Sequence, residues 1–190
     1  MAHLTQQRIL VTGPTKSGKS EWAEQLAQQT AQTVVYVATS RVNPRDADWQ
    51  ARVEAHQQRR SPHWQTLEVP VDLAAALTQA ASTDCWLVDS LGTWVANQLE
   101  LSEVAWQQEV AGLLAAIAQF PGSLILVAEE TGWGVVPAYP MGRTFRDRLG
   151  SLTRQVGAIA DVTYLVAAGF AINLSQTGIA VSGAAEPSLS

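Results

Sequence analysis

A chain of 190 residues fits one domain, and a domain of that size buries roughly 70% of the surface its unfolded form exposes. With 47% hydrophobic and 15% charged residues the composition is that of an ordinary globular protein and argues against disorder through most of the chain, and a net charge of −5 gives no basic footprint for nucleic acid or an anionic membrane. The single cysteine, Cys85, excludes an intrachain disulfide.

Residues 1–7 are polar, so no signal peptide is expected, and residues 8–13 (RILVTG) read as a short buried strand ending on glycine. Over 20–31, Trp22, Ala23, Leu26 and Ala27 recur at helical spacing and predict an amphipathic helix. The β-branched run TVVYVAT at 33–39 predicts a second buried strand, followed by a polar loop at 40–46 and a polar helix over 48–59. A short strand is expected at 64–69, then a helix over 72–81 with Asp72 as its N-cap.

Residues 85–89 (CWLVD) read as another buried strand, with Cys85 as an inert thiol within it. Helical patterns continue to Leu99 and again over 102–120, where Pro121-Gly122 stops them, and 123–128 (SLILVA) is a further core strand. The Gly- and Pro-rich loop 130–140 is long enough to be functional. A helix over 142–160 leads into a strand at 162–167. The longest apolar stretch, 162–174, is interrupted by polar residues and falls short of the ~20 residues a membrane span needs, so a soluble, cytoplasmic protein is expected. Strands alternating with helices predict an α/β fold: a mainly parallel sheet with helices on both faces, of the P-loop or RecA-like kind. One domain over 1–182 and a frayed tail at 183–190 complete the expected organisation.

Gly13-Pro14-Thr15-Lys16-Ser17-Gly18-Lys19-Ser20 fits G-x-x-x-x-G-K-[ST] at every required position, between a strand and a helix. Gly13 and Gly18 let the backbone turn so that successive N–H groups face one centre, and the helix N-terminus adds positive potential. Lys19 supplies a point charge for the β- and γ-phosphates of ATP or GTP, and the Ser20 hydroxyl a ligand for Mg²⁺. Lys16 either touches phosphate or faces solvent. Asp89, closing a core strand, is the candidate second Mg²⁺ carboxylate, and also a candidate N-cap for the helix that follows. Read from these residues alone, the chain is a small-molecule kinase, with a nucleotide-switched interaction module as the reading from a different class.

Several segments in order resemble the bifunctional adenosylcobinamide kinase/adenosylcobinamide-phosphate guanylyltransferases of cobalamin biosynthesis. They are the P-loop running on through Glu21-Trp22-Ala23-Glu24, Val35-Tyr36-Val37-Ala38-Thr39, and Arg52-Val53-Glu54-Ala55-His56 with Arg60 and Trp64 to Glu68. Leu87-Val88-Asp89-Ser90-Leu91 with Trp94 and Asn97, Glu130-Thr131-Gly132-Trp133-Gly134 with Pro137, and Arg143 to Asp147 with Gly150 complete them, before Asp161 and Gly169. The resemblance implies phosphorylation of the corrinoid's aminopropanol hydroxyl, then transfer of GMP from GTP to that phosphate. It also implies a homotrimer with corrinoid near a subunit boundary.

In the second step the resemblance makes His56 the guanylylated nucleophile; alone, a histidine on a polar helix beside Arg59 and Arg60 is an exposed bystander. A neutral imidazole with an ordinary pKa near ~6.5 suits that attack. Arg52 and Arg60 either neutralise triphosphate charge or form a solvated helix face. Glu68 falls on a position assigned to guanine or ribose contact. Glu130 either orients Mg²⁺, water or a substrate hydroxyl, or is a loop-surface acid. His63 and His3 carry no site signal, and Arg146 with Asp147 reads as a structural ion pair. Departures from the family pattern stand at Asp48-Trp49, Gly92-Thr93, Glu129, Thr153-Arg154 and Gly169-Phe170-Ala171.

Overall fold

The computed structural model describes residues 6–41 and 61–181. The expected helix over 48–59, with Arg52, His56 and Arg60, the tail 183–190 and His3 lie outside the described residues.

Seven strands form one sheet in the order β3-β2-β4-β5-β1-β6-β7. They are β1 (Arg8–Gly13), β2 (Thr33–Ala38), β3 (Gln65–Glu68), β4 (Asp84–Asp89), β5 (Ser123–Glu129), β6 (Val162–Ala167) and β7 (Phe170–Asn173). All neighbours run parallel except β6 and β7, which pair antiparallel with Ala167 opposite Phe170. Among the described residues the helices are α1 (Lys19–Gln28), α2 (Leu73–Leu77), α3 (Leu91–Ala96), α4 (Glu103–Ala118), α5 (Pro140–Ile159) and α6 (Leu174–Thr177).

The two-residue period of the strands divides their side chains between two cores. Leu10, Val35, Val37, Trp86, Val88, Leu124 and Leu126 point to one face, where α2 to α5 cover them with Leu73, Trp94, Leu113 and Leu152. Ile9, Val11, Tyr36, Cys85, Leu87, Ile125 and Val127 point to the other, against Ala23, Leu26 and Ala27 of α1. Burial raises the Cys85 thiol to about 11, which keeps it a protonated, inert core group.

Trp94 packs on Trp106 with ring centroids 5.6 Å apart, and its Nε1 donates to Val71 O at 2.7 Å. Buried Arg148 lies 5.0 Å over the Trp106 ring, and its two terminal nitrogens donate to the carbonyls of Gln98 and Leu101, so a charge caps the chain leaving α3. These contacts fix α3, and with it the end of β4 that enters the site.

Two expectations are corrected. Asp72 occupies the N-cap position of α2 but its side chain makes no capping bond, and the helix is short. Ser90, not Asp89, caps α3: its Oγ accepts from Thr93 N in a reciprocal capping box. The hairpin partner β7 and the short α6 were not expected. Strand β7 lies in the interrupted apolar stretch after β6, where no Asn-Gly or Asp-Gly turn marks a hairpin, and α6 starts where that stretch ends.

Candidate functional site

Residues 14–18 join β1 to α1 as a loop whose backbone is set by two left-handed residues, Lys16 at φ 58° and Gly18 at φ 95°. Gly18 stands at the N-cap of α1, where a side chain would be strained. Gly13 is needed for a different reason: a Cβ there would overlap the Val166 carbonyl oxygen of β6 and crowd Ser17 Oγ. The loop therefore sits directly on the neighbouring strand. Lys19 is buried in the first turn of α1, and its Nζ donates to Pro14 O at 3.5 Å, a long contact readily exchanged for a better acceptor. Thr15 and Lys16 are exposed and Ser20 is half-buried. A loop of this shape, with a buried ammonium behind it, can hold a polyphosphate.

Two carboxylates end the strands beside it. Asp89 closes β4, and its Oδ2 accepts from Tyr36 OH at 3.0 Å. Glu129 closes β5 opposite Gly13 in the parallel register, and Glu130 N donates to Gly13 O at 2.9 Å. Sequence reasoning singled out Asp89 but passed over Glu129. Its Oε1 accepts from Ser90 Oγ at 2.6 Å, while its Oε2 is buried without a hydrogen-bond partner among the described residues. Burial pushes this carboxyl above the usual range; the Ser90 hydrogen bond and the Lys19 charge pull it back, and Asp89 repels its charge. The signal available in the sequence was Gly92. A Cβ at Gly92 would overlap the Glu129 carboxylate, so the two departures from the family pattern form one steric unit.

Around that unit, Thr39 Oγ1 donates to Ser90 O at 2.6 Å, accepts from Ser90 N at 3.0 Å and contacts Thr93 Oγ1. Asn97 Nδ2 donates to Thr39 O and Pro70 O, at 2.8 and 2.9 Å. The ends of β2 and β4 are thereby tied to α3. Thr12 Oγ1 and Ser17 Oγ are two further buried polar atoms at the loop that lack a partner among the described residues.

The remaining expected residues are placed differently. Glu68 is exposed at the end of edge strand β3, four strand positions from β1, or roughly 19 Å at ~4.8 Å per strand. Glu130 turns onto its own loop, accepting from Gly132 N at 2.7 Å. Arg146 and Asp147 form the expected ion pair at 3.0 Å. No cluster of three or more His, Cys, Asp or Glu side chains that could hold a metal occurs among the described residues. A divalent cation here would be held by one or two side chains and a nucleotide's own phosphates, the usual manner of Mg²⁺.

The family model described as cobinamide kinase / cobinamide phosphate guanyltransferase matches residues 9–174. A relative in Pseudomonas aeruginosa, named bifunctional adenosylcobalamin biosynthesis protein CobP, is 38% identical over 163 residues, covering 84% of this chain and 93% of its own length. The bifunctional adenosylcobalamin biosynthesis protein CobU of Escherichia coli is 33% identical over 181 residues, covering 87% and 98%. Among solved structures, a Pyrococcus horikoshii protein superposes with a TM-score of 0.50 at 8% identity, over 88% of this chain and 85% of its own, which is a likeness of fold alone.

Proposed function

The chain belongs to the cobinamide kinase / cobinamide phosphate guanyltransferase family, and from that premise we propose that it phosphorylates adenosylcobinamide and then guanylylates the product. The observation that carries the reading is the convergence of Lys19, Asp89 and Glu129 at one end of the sheet, around a loop built for phosphate.

In the first step the corrinoid hydroxyl oxygen attacks the γ-phosphorus of ATP or GTP, the bond to the bridging oxygen breaks, and the nucleoside diphosphate leaves. The loop N–H groups and Lys19 bind the phosphates and meet the charge that develops as that bond breaks. Ser20 and Asp89 are the residues that would hold Mg²⁺, which neutralises phosphate charge when bound. Tyr36 keeps the Asp89 carboxylate oriented, and Ser90 does the same for Glu129.

In the second step the His56 imidazole attacks the α-phosphorus of GTP and pyrophosphate leaves. The corrinoid phosphate oxygen then displaces the imidazole, giving adenosylcobinamide-GDP. Arg52 and Arg60 lie in the same sequence segment as His56 and are proposed to offset triphosphate charge. Glu68 is proposed to contact guanine or ribose in this step, and its distance from the P-loop supports a nucleotide position for guanylyl transfer separate from that for phosphorylation.

The loop after β5 and the first turn of α5 expose Trp133, Val135, Tyr139 and Met141. That apolar surface supports the reading of a homotrimer with corrinoid bound near a subunit boundary. No helix among the described residues is long and apolar enough to cross a membrane; a cytoplasmic location and a single domain over 1–182 belong to the same proposal.

Product analysis tests it. Adenosylcobinamide with ATP alone should yield the phosphate, and addition of GTP should yield adenosylcobinamide-GDP. Failure to phosphorylate adenosylcobinamide under either nucleotide contradicts the reading and favours a kinase for another small hydroxylated compound.

A further inference from the structure

A cleft of about 370 Å³ opens beside the P-loop, within the ~300–1,000 Å³ range of small-molecule sites. Glu21, Trp22 and Gln25 of α1 line it together with Gly18 of the loop, Val166 of β6 and Phe170 of β7. Phe170 is 75% exposed beside this cleft, a placement that leaves most of its ring in water. The turn that presents it has positive φ at both central residues, Ala168 at 51° and Gly169 at 80°, the pattern of a tight hairpin. Trp22, which also lines the cleft, is held by an edge-to-face contact with Tyr164, ring centroids 5.5 Å apart.

Sheet order decides what this cleft is for. The carboxylates Asp89 and Glu129 lie on β4 and β5, to one side of β1, so the reacting end of a polyphosphate and its cation belong on that side. The rest of the nucleotide must leave the loop elsewhere. On the opposite side of β1 stand β6 and β7, and the cleft there is continuous with Ser17 and Gly18 of the loop.

We propose that this cleft is the base subsite of the P-loop nucleotide, with Phe170 and Trp22 packing on a purine and Glu21 favouring guanine over adenine. The inference rests on the P-loop reading above and adds the residues that read the base. Aromatic contact recognises any purine through its ring face. Selection comes from the acid: a carboxylate only accepts hydrogen bonds, and guanine offers an N–H and an amino group side by side, whereas adenine offers an amino group beside a ring acceptor. Gln25, on the same helix, has an amide that can donate to or accept from a base edge. Because Phe170 stands on an exposed edge strand, removing its side chain takes nothing out of either core.

The test is calorimetric titration of GDP, ADP and pyrophosphate, each with Mg²⁺, into the native chain and the Phe170→Ala, Phe170→Tyr, Glu21→Gln and Lys19→Ala variants. Phe170→Ala should weaken both nucleotides about tenfold and leave pyrophosphate unchanged, while Phe170→Tyr restores binding. Glu21→Gln should cut the preference for GDP over ADP by about tenfold. Unchanged nucleotide affinity in Phe170→Ala, with Lys19→Ala still weakened, overturns the subsite and leaves the P-loop reading standing. An altered oligomeric state in Phe170→Ala with unchanged affinity also overturns it, by making this face an interface between copies. An unmoved GDP-to-ADP ratio in Glu21→Gln overturns the guanine preference. Lys19→Ala binding all three probes as tightly as the native chain overturns the P-loop reading, and the subsite with it.

Discussion

Strands β1, β4 and β5 at the centre of the sheet are buried along nearly their whole length and end in Gly13, Asp89 and Glu129. At the two edges, β3 and β7 are short and exposed, and present Glu68 and Phe170. The centre is held on both faces by a packed core, so its end groups are fixed in place and their charges interact through protein. The edges have solvent beside them, and what they offer is contact surface. Phosphate chemistry suits the first and recognition of the rest of a substrate suits the second, which is the division of labour the proposed reactions require.

The sharpest break of that comparison comes from the centre. Lys19→Ala should lower kcat/KM for phosphorylation by about 10³-fold, since in the proposed first step it removes the buried charge that meets the developing phosphate charge. The fold should persist, which circular dichroism checks. An equal loss from Glu68→Ala in the phosphorylation assay would erase the distinction between centre and edge.

Gly92→Ala probes the packing behind the centre. Its Cβ would run into the Glu129 carboxylate, so a loss of about 1–3 kcal/mol is expected in urea unfolding. In a Glu129→Ala background the obstruction is gone. There the same change should stabilise by up to ~1 kcal/mol, because alanine is the better helix former. A loss of the same size in both backgrounds would show that Glu129 is not what Gly92 makes room for.

A smaller effect is expected from pH. The folded Glu129 carboxyl titrates above its ordinary 4.5, so the folded state binds the proton more tightly than the unfolded one. The stability this gives is complete below 4.5 and is lost as pH rises through the folded value. Glu129→Gln lacks that loss, and its stability relative to the native chain should climb as pH is raised from about 4.5. A relative stability that stays level across that window would contradict the buried environment.

The smallest effect belongs to the rim of the fold. Arg8 and Asp161 pair at 2.9 Å with side chains 31% and 37% exposed, and Arg8 N also donates to Asp161 Oδ2. Asp161→Asn should cost no more than about 1 kcal/mol and be insensitive to salt in its remaining backbone bond.

Those same two regions explain what could be read from the sequence. The central strands were legible because β-branched and aliphatic runs have no other comfortable place, and the P-loop because its spacing dictates both turn and charge. The α2 helix was read too long, since an alanine run continues the pattern of apolar residues without marking where packing stops. Strand β7 went unread because the Ala168-Gly169 turn lacks the usual hairpin residues and the strand has little core to pattern it. Glu129 was missed for a related reason. Its importance depends on Ser90, Gly92 and Lys19, which meet it only through the sheet, and no local spacing encodes that meeting.

The central claim, that guanylyl transfer runs through His56 in the chain that also carries the phosphate loop, is tested most directly by intact-protein mass after incubation with Mg²⁺ and GTP, comparing the native chain with His56→Ala. The account predicts a GMP adduct on the native chain that is absent from the variant. An adduct that survives in His56→Ala, or none on a native chain that binds GTP, would contradict it.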